Sequence, residues 1–278
     1  MNSNNLSHWE QLAALHGGPG DRYYHLDVLR EGGTLMGAEE RAALERACGT
    51  QGLRGLDIAH LQSHIGCDAI TMAREGARVT AIDFSPTALA RAEALARECG
   101  VQLNFVVADS RRLPDDLSES FDIVYATIGV LCWIDDLDAW MSGVARILRP
   151  SGRLVLVDLH PIYQMLDSVS PLAMSFPYNF DGIREYESSG SYADRNLPVT
   201  SVTHQFAHGL AEIVMAAVRN GLVVVDLAEL TSMSFDPGGS FLEQGPDSRY
   251  QLRLGGEVDG RPSEPLPVLF SLIAERPA

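Results

Sequence analysis

Apolar residues along this chain change period in a regular way between residues 50 and 160. The runs GLDIAHL, ARVTAID, LNFVVAD, FDIVYATIG and RLVLVDLH have the length of buried strands. Between them lie helical patterns. GCDAITMAREG predicts a helix closed by Gly76, and SPTALARAEALAREC one with Ser85 as N-cap and Pro86 at its first position. DLDAWMSGVARILR predicts a helix followed by a PSG turn. Apolar strands that alternate with helices of roughly 10–15 residues make βαβ units and a parallel sheet covered on both faces. Right-handed crossovers then give a doubly wound α/β fold.

The flanks read differently. SHWEQLAALHG predicts a short helix ended by the GGPGD turn, and EERAALERACG an amphipathic helix stopping at Gly49. After His160 the pattern breaks, and residues 161 to about 203 show no sustained period. An irregular segment of that length is a functional element or a small cap. THQFAHGLAEIVMAAVRN then predicts a helix ended by Gly221. LVVVDLAEL and LPVLFSLIAER predict two more strands, for seven in all.

Composition narrows the function. The chain has 278 residues, 46% of them hydrophobic, enough to bury a full core. With 21 basic and 37 acidic residues its net charge is −16, which argues against a nucleic acid or an anionic membrane as partner. Cys48, Cys67, Cys99 and Cys132 are scattered without CxxC spacing and predict reduced thiols. The N-terminus has no basic region followed by an apolar run, and no segment approaches the roughly 20 apolar residues that cross a bilayer. A cytoplasmic location is expected.

The first strand ends in the turn LQSHIGCD, and the second ends in Asp83. In a doubly wound sheet ligands bind at the carboxyl ends of the strands, where the strand order reverses. Gly66 opens the following helix, whose free N–H groups favour an anion or a carboxylate. A carboxylate at Asp83 is placed for a ribose diol. The turn lacks GxGxxG for a dinucleotide, and the chain has no GxxxxGK[ST]. An adenosine-type ligand without phosphate, S-adenosyl-L-methionine, fits what is left. VVADSRRLP places Asp109 past the third strand, within reach of an adenine amino group. The fourth strand runs to Ala126 and Thr127, at the reactive end of such a ligand.

HLQSHIG followed by Asp68, VTAIDFSP, VVADSRRLP and ILRPSGRLVLVD, in that order and spacing, resemble the class I S-adenosylmethionine-dependent methyltransferases. The turn is similar to that of one bacterial branch, which runs roughly HLQCHxGxD. HPIYQMLD, GSYAD, HGLAEIVMAAVRNGL and LPVLFSLIAERP extend the likeness over most of the chain. The resemblance implies a Rossmann-like, mostly parallel seven-stranded sheet in a single domain, 1–278. Residues 1–50 would form a helical lid, 51–160 the cofactor-binding core, 161–203 a substrate cap, and 204–278 the helix and strands that complete the sheet.

The resemblance also implies roles. Gln62, Ser63 and Gly66 would line the amino-acid tail of the cofactor, and Asp83 would hold the ribose, with Phe84 along the adenine. Asp109 and Ser110 would hold the adenine edge, and Thr127 the methionine portion. Tyr23 and Tyr24 would belong to a segment closing over the cofactor, Tyr24 on the cofactor and Tyr23 towards substrate. Ser63 stands where the branch often has Cys.

The residues themselves suggest where chemistry would come from. Methyl transfer from a sulfonium is an in-line displacement, and a base is needed only if the nucleophile carries a proton. His160, at the end of the fifth strand, is one candidate base. His204, His208 and Glu212 are four apart on one predicted helix, so they would share a face. Of these, His208 is a second candidate base and His204 a substrate contact. No third ligand or HExxH supports a metal. Trp133, Tyr163, Tyr178 and Tyr192 are candidate walls of a substrate pocket. The expected activity is methylation of a small organic molecule, O or N favoured over C, with S-adenosyl-L-homocysteine as product. The alternatives are a non-methylating reaction such as cyclisation, and a non-catalytic protein that binds the cofactor.

Overall fold

The computed structural model describes residues 3–18, 21, 23–169, 172–236, 241–253, 257–258, 261–262 and 264–278. The main sheet holds β1 (Asp57–Leu61), β2 (Arg78–Asp83), β3 (Asn104–Val107), β4 (Phe121–Thr127) and β5 (Leu148–Leu159), joined late in the chain by β8 (Val223–Leu230) and β9 (Leu269–Glu275). Its order is β8-β9-β5-β4-β1-β2-β3. β1 to β5 run parallel, and β9 is antiparallel to both β5 and β8. The order reverses between β1 and β4, where Ile58 pairs with Ile123 and His60 with Tyr125. This is the point at which a doubly wound sheet opens a crevice.

The helices are α1 (Ser3–Leu15), α2 (Leu26–Arg30), α3 (Ala38–Cys48), α4 (Cys67–Arg74), α5 (Pro86–Glu98), α6 (Leu137–Ile147), α7 (Pro161–Gln164) and α8 (Leu210–Arg219). Strand alternation sends side chains to opposite faces. Ala59, Leu61, Val124, Leu154, Leu156 and Leu272 meet Trp140, Val144 and Ala216 of α6 and α8. Ile58, Val79, Ile123, Val155 and Ile273 meet Ala43, Leu44, Ala69 and Met72 of α3 and α4. Each wholly buried Leu, Ile or Val adds about 1.5–3 kcal/mol, so the two layers hold the sheet and the strand tips above it. Ser85 caps α5 as expected, its Oγ accepting from Ala88 N–H at 3.0 Å.

Two regions differ from the sequence reading. The predicted helix over THQFAHGLAEIVMAAVRN starts only at Leu210, because Thr200–Ala207 is strand β7. β7 pairs with β6 (Phe180–Ser189) in an antiparallel hairpin, with Glu185 opposite His204. β-Branched Thr200, Val202 and Thr203 suit a strand. Gly209 is extended, and its N–H and that of Leu210 donate to Asn179 Oδ1 and Tyr178 OH, at 2.5 and 3.2 Å. The helix therefore begins there. His204 and His208 do not share a helix face: one lies on a strand and the other in the loop before α8. The segment expected to be irregular contains this hairpin. Its half-buried positions are Gly182, Arg184, Tyr186 and Ser188, a mostly polar alternation with little hydrophobic period to read.

α1 packs against β7 and α5. Of the GGPGD turn after it, Pro19 and Gly20 lie outside the described residues.

Candidate active site at the carboxyl edge of the sheet

The turn after β1 has one glycine, yet its backbone is left-handed at three alternate positions: Gln62 (φ 53°), His64 (φ 48°) and Gly66 (φ 78°). A left-handed non-glycine residue costs roughly 1–2 kcal/mol, and such strain persists only where surrounding contacts hold it. Those contacts are present. Gln62 Nε2 donates to Val130 O at 3.1 Å, and Ser110 Oγ donates to Gln62 Oε1 at 3.4 Å. His64 N–H donates to Asp83 Oδ2 at 2.8 Å. At Gly66 a Cβ would lie 2.9 Å from Ala92 Cβ, so α5 leaves room for glycine alone. The turn keeps the path of a glycine-rich loop with side chains where glycines would stand.

Asp83 is buried at the tip of β2. Its Oδ1 accepts from Ser85 N–H at 2.9 Å, opposite the His64 bond, so one carboxylate ties the β1 turn to the start of α5. Burial pushes the carboxyl up to about 6, against those backbone donors. Each oxygen keeps a lone pair, so capacity for a ligand hydroxyl remains. Phe84 follows, half-buried. Asp109 binds Arg111, accepting from its backbone N–H, Nε and Nη2 at 3.1, 2.9 and 2.6 Å, and Arg111 also reaches Asp135. Burial acts against the Asp109 charge, but the Arg111 bonds outweigh it and hold the carboxyl below its usual range. Ser63 Oγ and Thr127 Oγ1 are buried without a hydrogen-bond partner among the described residues.

Rings cover this turn. Trp9 lies 5.3 Å, centroid to centroid, from both His64 and Trp133. Tyr23, Tyr24 and Tyr192 are in mutual contact, with the Tyr24 and Tyr192 hydroxyls bonded. His16 sits 5.0 Å from His64 and Tyr192. Thus Tyr23, Tyr24, Trp133 and Tyr192 come together over the turn after β1. Tyr163 instead packs on Phe241, Tyr178 holds the start of α8, and His204 contacts Asn4, Asn5 and Glu185.

The two histidines expected as bases lie apart from these rings. Ile162 N–H donates to His160 Nδ1 at 3.2 Å, so the ring proton is on Nε2 and goes to Glu229 at 2.9 Å. His160 is left with no free basic nitrogen. His208 Nε2 donates to Ile134 O at 2.7 Å, and its Nδ1 lies 3.3 Å from Glu212 Oε1. His208 borders a cavity of about 290 Å³ with Asp135, Phe180, Phe206 and Glu212.

Sequence reasoning missed His8, Trp9, Glu10 and His16 of the N-terminal helix and the turn after it. Glu10 accepts from Ser85 Oγ and Thr87 Oγ1, pinning α1 beside Asp83. The polar-aromatic cluster SHWE was the available signal. Asp158 was missed as well. Wholly buried at the end of β5, it accepts from Gly129, Leu131 and Leu159 N–H at 2.5, 2.9 and 2.7 Å and shapes the loop after β4.

The sheet order defines a Rossmann-like domain, with the left-handed turn at its switch point. Residues 63–156 match the family model of a methyltransferase domain. An uncharacterised Mycobacterium tuberculosis protein is 32% identical over 130 residues, covering 46% of each chain. The phthiotriol/phenolphthiotriol dimycocerosates methyltransferase of Mycobacterium leprae is 28% identical over 137 residues, 49% of this chain and 44% of that protein. The chain spans about half the length of the curated relatives it matches. An S-adenosylmethionine-dependent methyltransferase structure from Mesorhizobium loti superposes with a TM-score of 0.53 at 21% identity, over 89% of this chain and 100% of that one.

Residues 63–156 thus match a methyltransferase domain, and the sheet has the Rossmann-like fold of the class I S-adenosylmethionine-dependent methyltransferases. The cofactor of such methyltransferases is S-adenosyl-L-methionine, with S-adenosyl-L-homocysteine as product. The residues present fit it: two buried hydroxyls without partners, a left-handed turn with helix N–H groups behind it, and an acidic strand tip. Among the described residues no group of three or more His, Cys, Asp and Glu could hold a metal, and no helix is long and apolar enough to cross a membrane.

Proposed function

We propose that this protein transfers a methyl group from S-adenosyl-L-methionine to oxygen or nitrogen of a small organic molecule. The observation that carries the reading is the turn held left-handed at Gln62, His64 and Gly66 and tied to the acidic tip of β2. Strain kept at a ligand-binding edge marks a site rather than a packing accident. Bound there, the sulfonium supplies an electrophilic methyl group.

The chain's own residues bind and orient. Ser63 and Gly66 line the amino-acid tail, with Gln62 shaping the turn from below. Asp83 accepts from the ribose hydroxyls and Phe84 lies along the base. Ser110 and Asp109 meet the adenine edge, with Arg111 fixing the carboxylate of Asp109. Thr127 faces the methionine portion, and Tyr24 closes over it. α1 and the β6–β7 hairpin exclude water, which an in-line displacement requires. Tyr23, Trp133 and Tyr192 form the acceptor side. The net charge of −16 favours a small molecule over a nucleic acid.

Calorimetry with S-adenosyl-L-methionine and S-adenosyl-L-homocysteine tests the cofactor, and methyl-labelled cofactor tests transfer. Binding of neither would end the reading. Release of methylthioadenosine without label in any acceptor would replace methylation by cyclisation.

A further inference from the structure

We propose that His16 takes the proton from the methyl acceptor, that His64 of the cofactor turn holds it in the receptive tautomer, and that the acceptor is a hydroxyl on a planar ring. The inference rests on the methyltransferase reading above and deepens it.

His16 is wholly buried just past α1. Its Nε2 lies 2.6 Å from Ser191 Oγ in the cap, and its Nδ1 lies 2.8 Å from His64 Nε2. Ser191 Oγ also accepts from Ala193 N–H at 3.0 Å. Ser191 Oγ has a second lone pair and one proton, so both His16 tautomers satisfy these contacts; in the proposed one the hydroxyl proton points at His16 Nε2, which is the bare nitrogen. The His16 proton is then on Nδ1 and goes to His64. A hydroxyl, an imidazole and an orienting group in line are the parts of a base-assisted nucleophile. The Ser191 hydroxyl holds the place that an acceptor hydroxyl takes.

The surroundings fit a flat acceptor. Trp9 faces His64, and Tyr24 and Tyr192 stand 5.1 and 5.0 Å from the His16 ring. Aromatic walls favour a planar ring by stacking. Other histidines fit less well. His160 has no bare nitrogen, and His208 has its own beside Glu212, outside the rings. His8 Nδ1 meets Ser201 Oγ at 2.6 Å, without a link to the cofactor turn.

In the reaction the acceptor oxygen uses a lone pair to bond the methyl carbon. The carbon–sulfur bond breaks with its electron pair left on sulfur, and the hydroxyl proton passes to His16 Nε2. Burial opposes the resulting imidazolium, Asp21 favours it, and Arg91 and His8 oppose it. Burial lowers the resting imidazole to about 4, so it enters the reaction neutral. It becomes charged only as the sulfonium charge is lost, and the site carries one positive charge throughout.

Calorimetry on His16→Lys and His16→Asp, each checked for native circular dichroism, reads the placement without an acceptor. The Lys variant should weaken S-adenosyl-L-methionine at least about tenfold more than S-adenosyl-L-homocysteine, a difference of about 1.4 kcal/mol. The Asp variant should move that ratio the other way. An unmoved ratio in a folded variant overturns the placement.

The second arm offers phenol, catechol and 2-naphthol with methyl-labelled cofactor. Wild type should label at least one of them. His16→Gln should lower kcat about 100-fold or more while KM for the cofactor stays within about threefold. His64→Asn keeps a residue that tolerates the left-handed backbone and should show the same split. Undiminished turnover by His16→Gln, or no label in any phenol from a protein that binds the cofactor, overturns the proposal. Absence of cofactor binding overturns the methyltransferase reading itself, and this inference with it.

Discussion

The turn after β1 allows a sharp test at Gln62, because backbone strain and side-chain bonds can be separated there. Gln62 has φ 53°, with one good hydrogen bond to Val130 O (3.1 Å) and a longer one from Ser110 (3.4 Å). Gln62→Gly removes both bonds, about 1–1.5 kcal/mol together. It adds roughly 0.5–1 kcal/mol of backbone entropy and relieves about 1–2 kcal/mol of left-handed strain. The net effect is a loss of about 1 kcal/mol or less. Gln62→Val loses the same bonds and forces a β-branched residue into a region it rarely enters. Its loss should reach about 2–3 kcal/mol. Urea unfolding of both variants gives the comparison, and cofactor calorimetry should rank them in the same order. The prediction is the gap of about 1 kcal/mol or more in favour of Gly, since the lost bonds cancel between the variants. Equal stabilities, or Val the more stable, would refute the claim that a strained turn is held by its contacts.

Other expectations follow from single residues. Asp83→Asn turns one oxygen into a donor facing a backbone N–H, of His64 or Ser85, so stability and cofactor affinity should each fall by about 1–3 kcal/mol; full affinity in calorimetry would contradict this. Asp158→Asn faces three N–H donors and should lower the unfolding free energy by a similar amount, with no loss counting against its role in shaping the loop after β4. Glu40 is raised from 4.5 to about 8, by burial first and then by Asp68. An acid raised in the folded state is stabilising while protonated, fully so below the unfolded value of 4.5, and that contribution is lost as pH rises to about 8. Wild type should therefore lose about 1.4 kcal/mol per pH unit across this window relative to Glu40→Gln. Parallel stability curves for the two proteins would show Glu40 to be unperturbed.

How far this site could be read from the sequence depended on which force sets each part. β1 to β5 and their helices were legible because burial on both faces writes long apolar runs, and Ser85 and Pro86 mark a helix start by local chemistry alone. The β6–β7 hairpin was not legible. Its half-buried positions hold Arg184, Tyr186 and Ser188, so strand pairing rather than a hydrophobic period decides it, and a helix was read into Thr203–Ala207. Asp83 could be placed because it ends a strand beside a switch point. Asp158 ends a strand too, but its three N–H partners come from the loop after β4 and its own chain neighbour, and no local pattern announces that staple. The left-handed path at Gln62 and His64 was hidden for the same reason. Glycines would have advertised it, whereas here Val130, Ser110, Asp83 and His16, from four different segments, hold non-glycine residues in place. The parts missed are those whose energy comes from distant segments converging on the strand tips, and they are the parts that turn a common fold into a particular site.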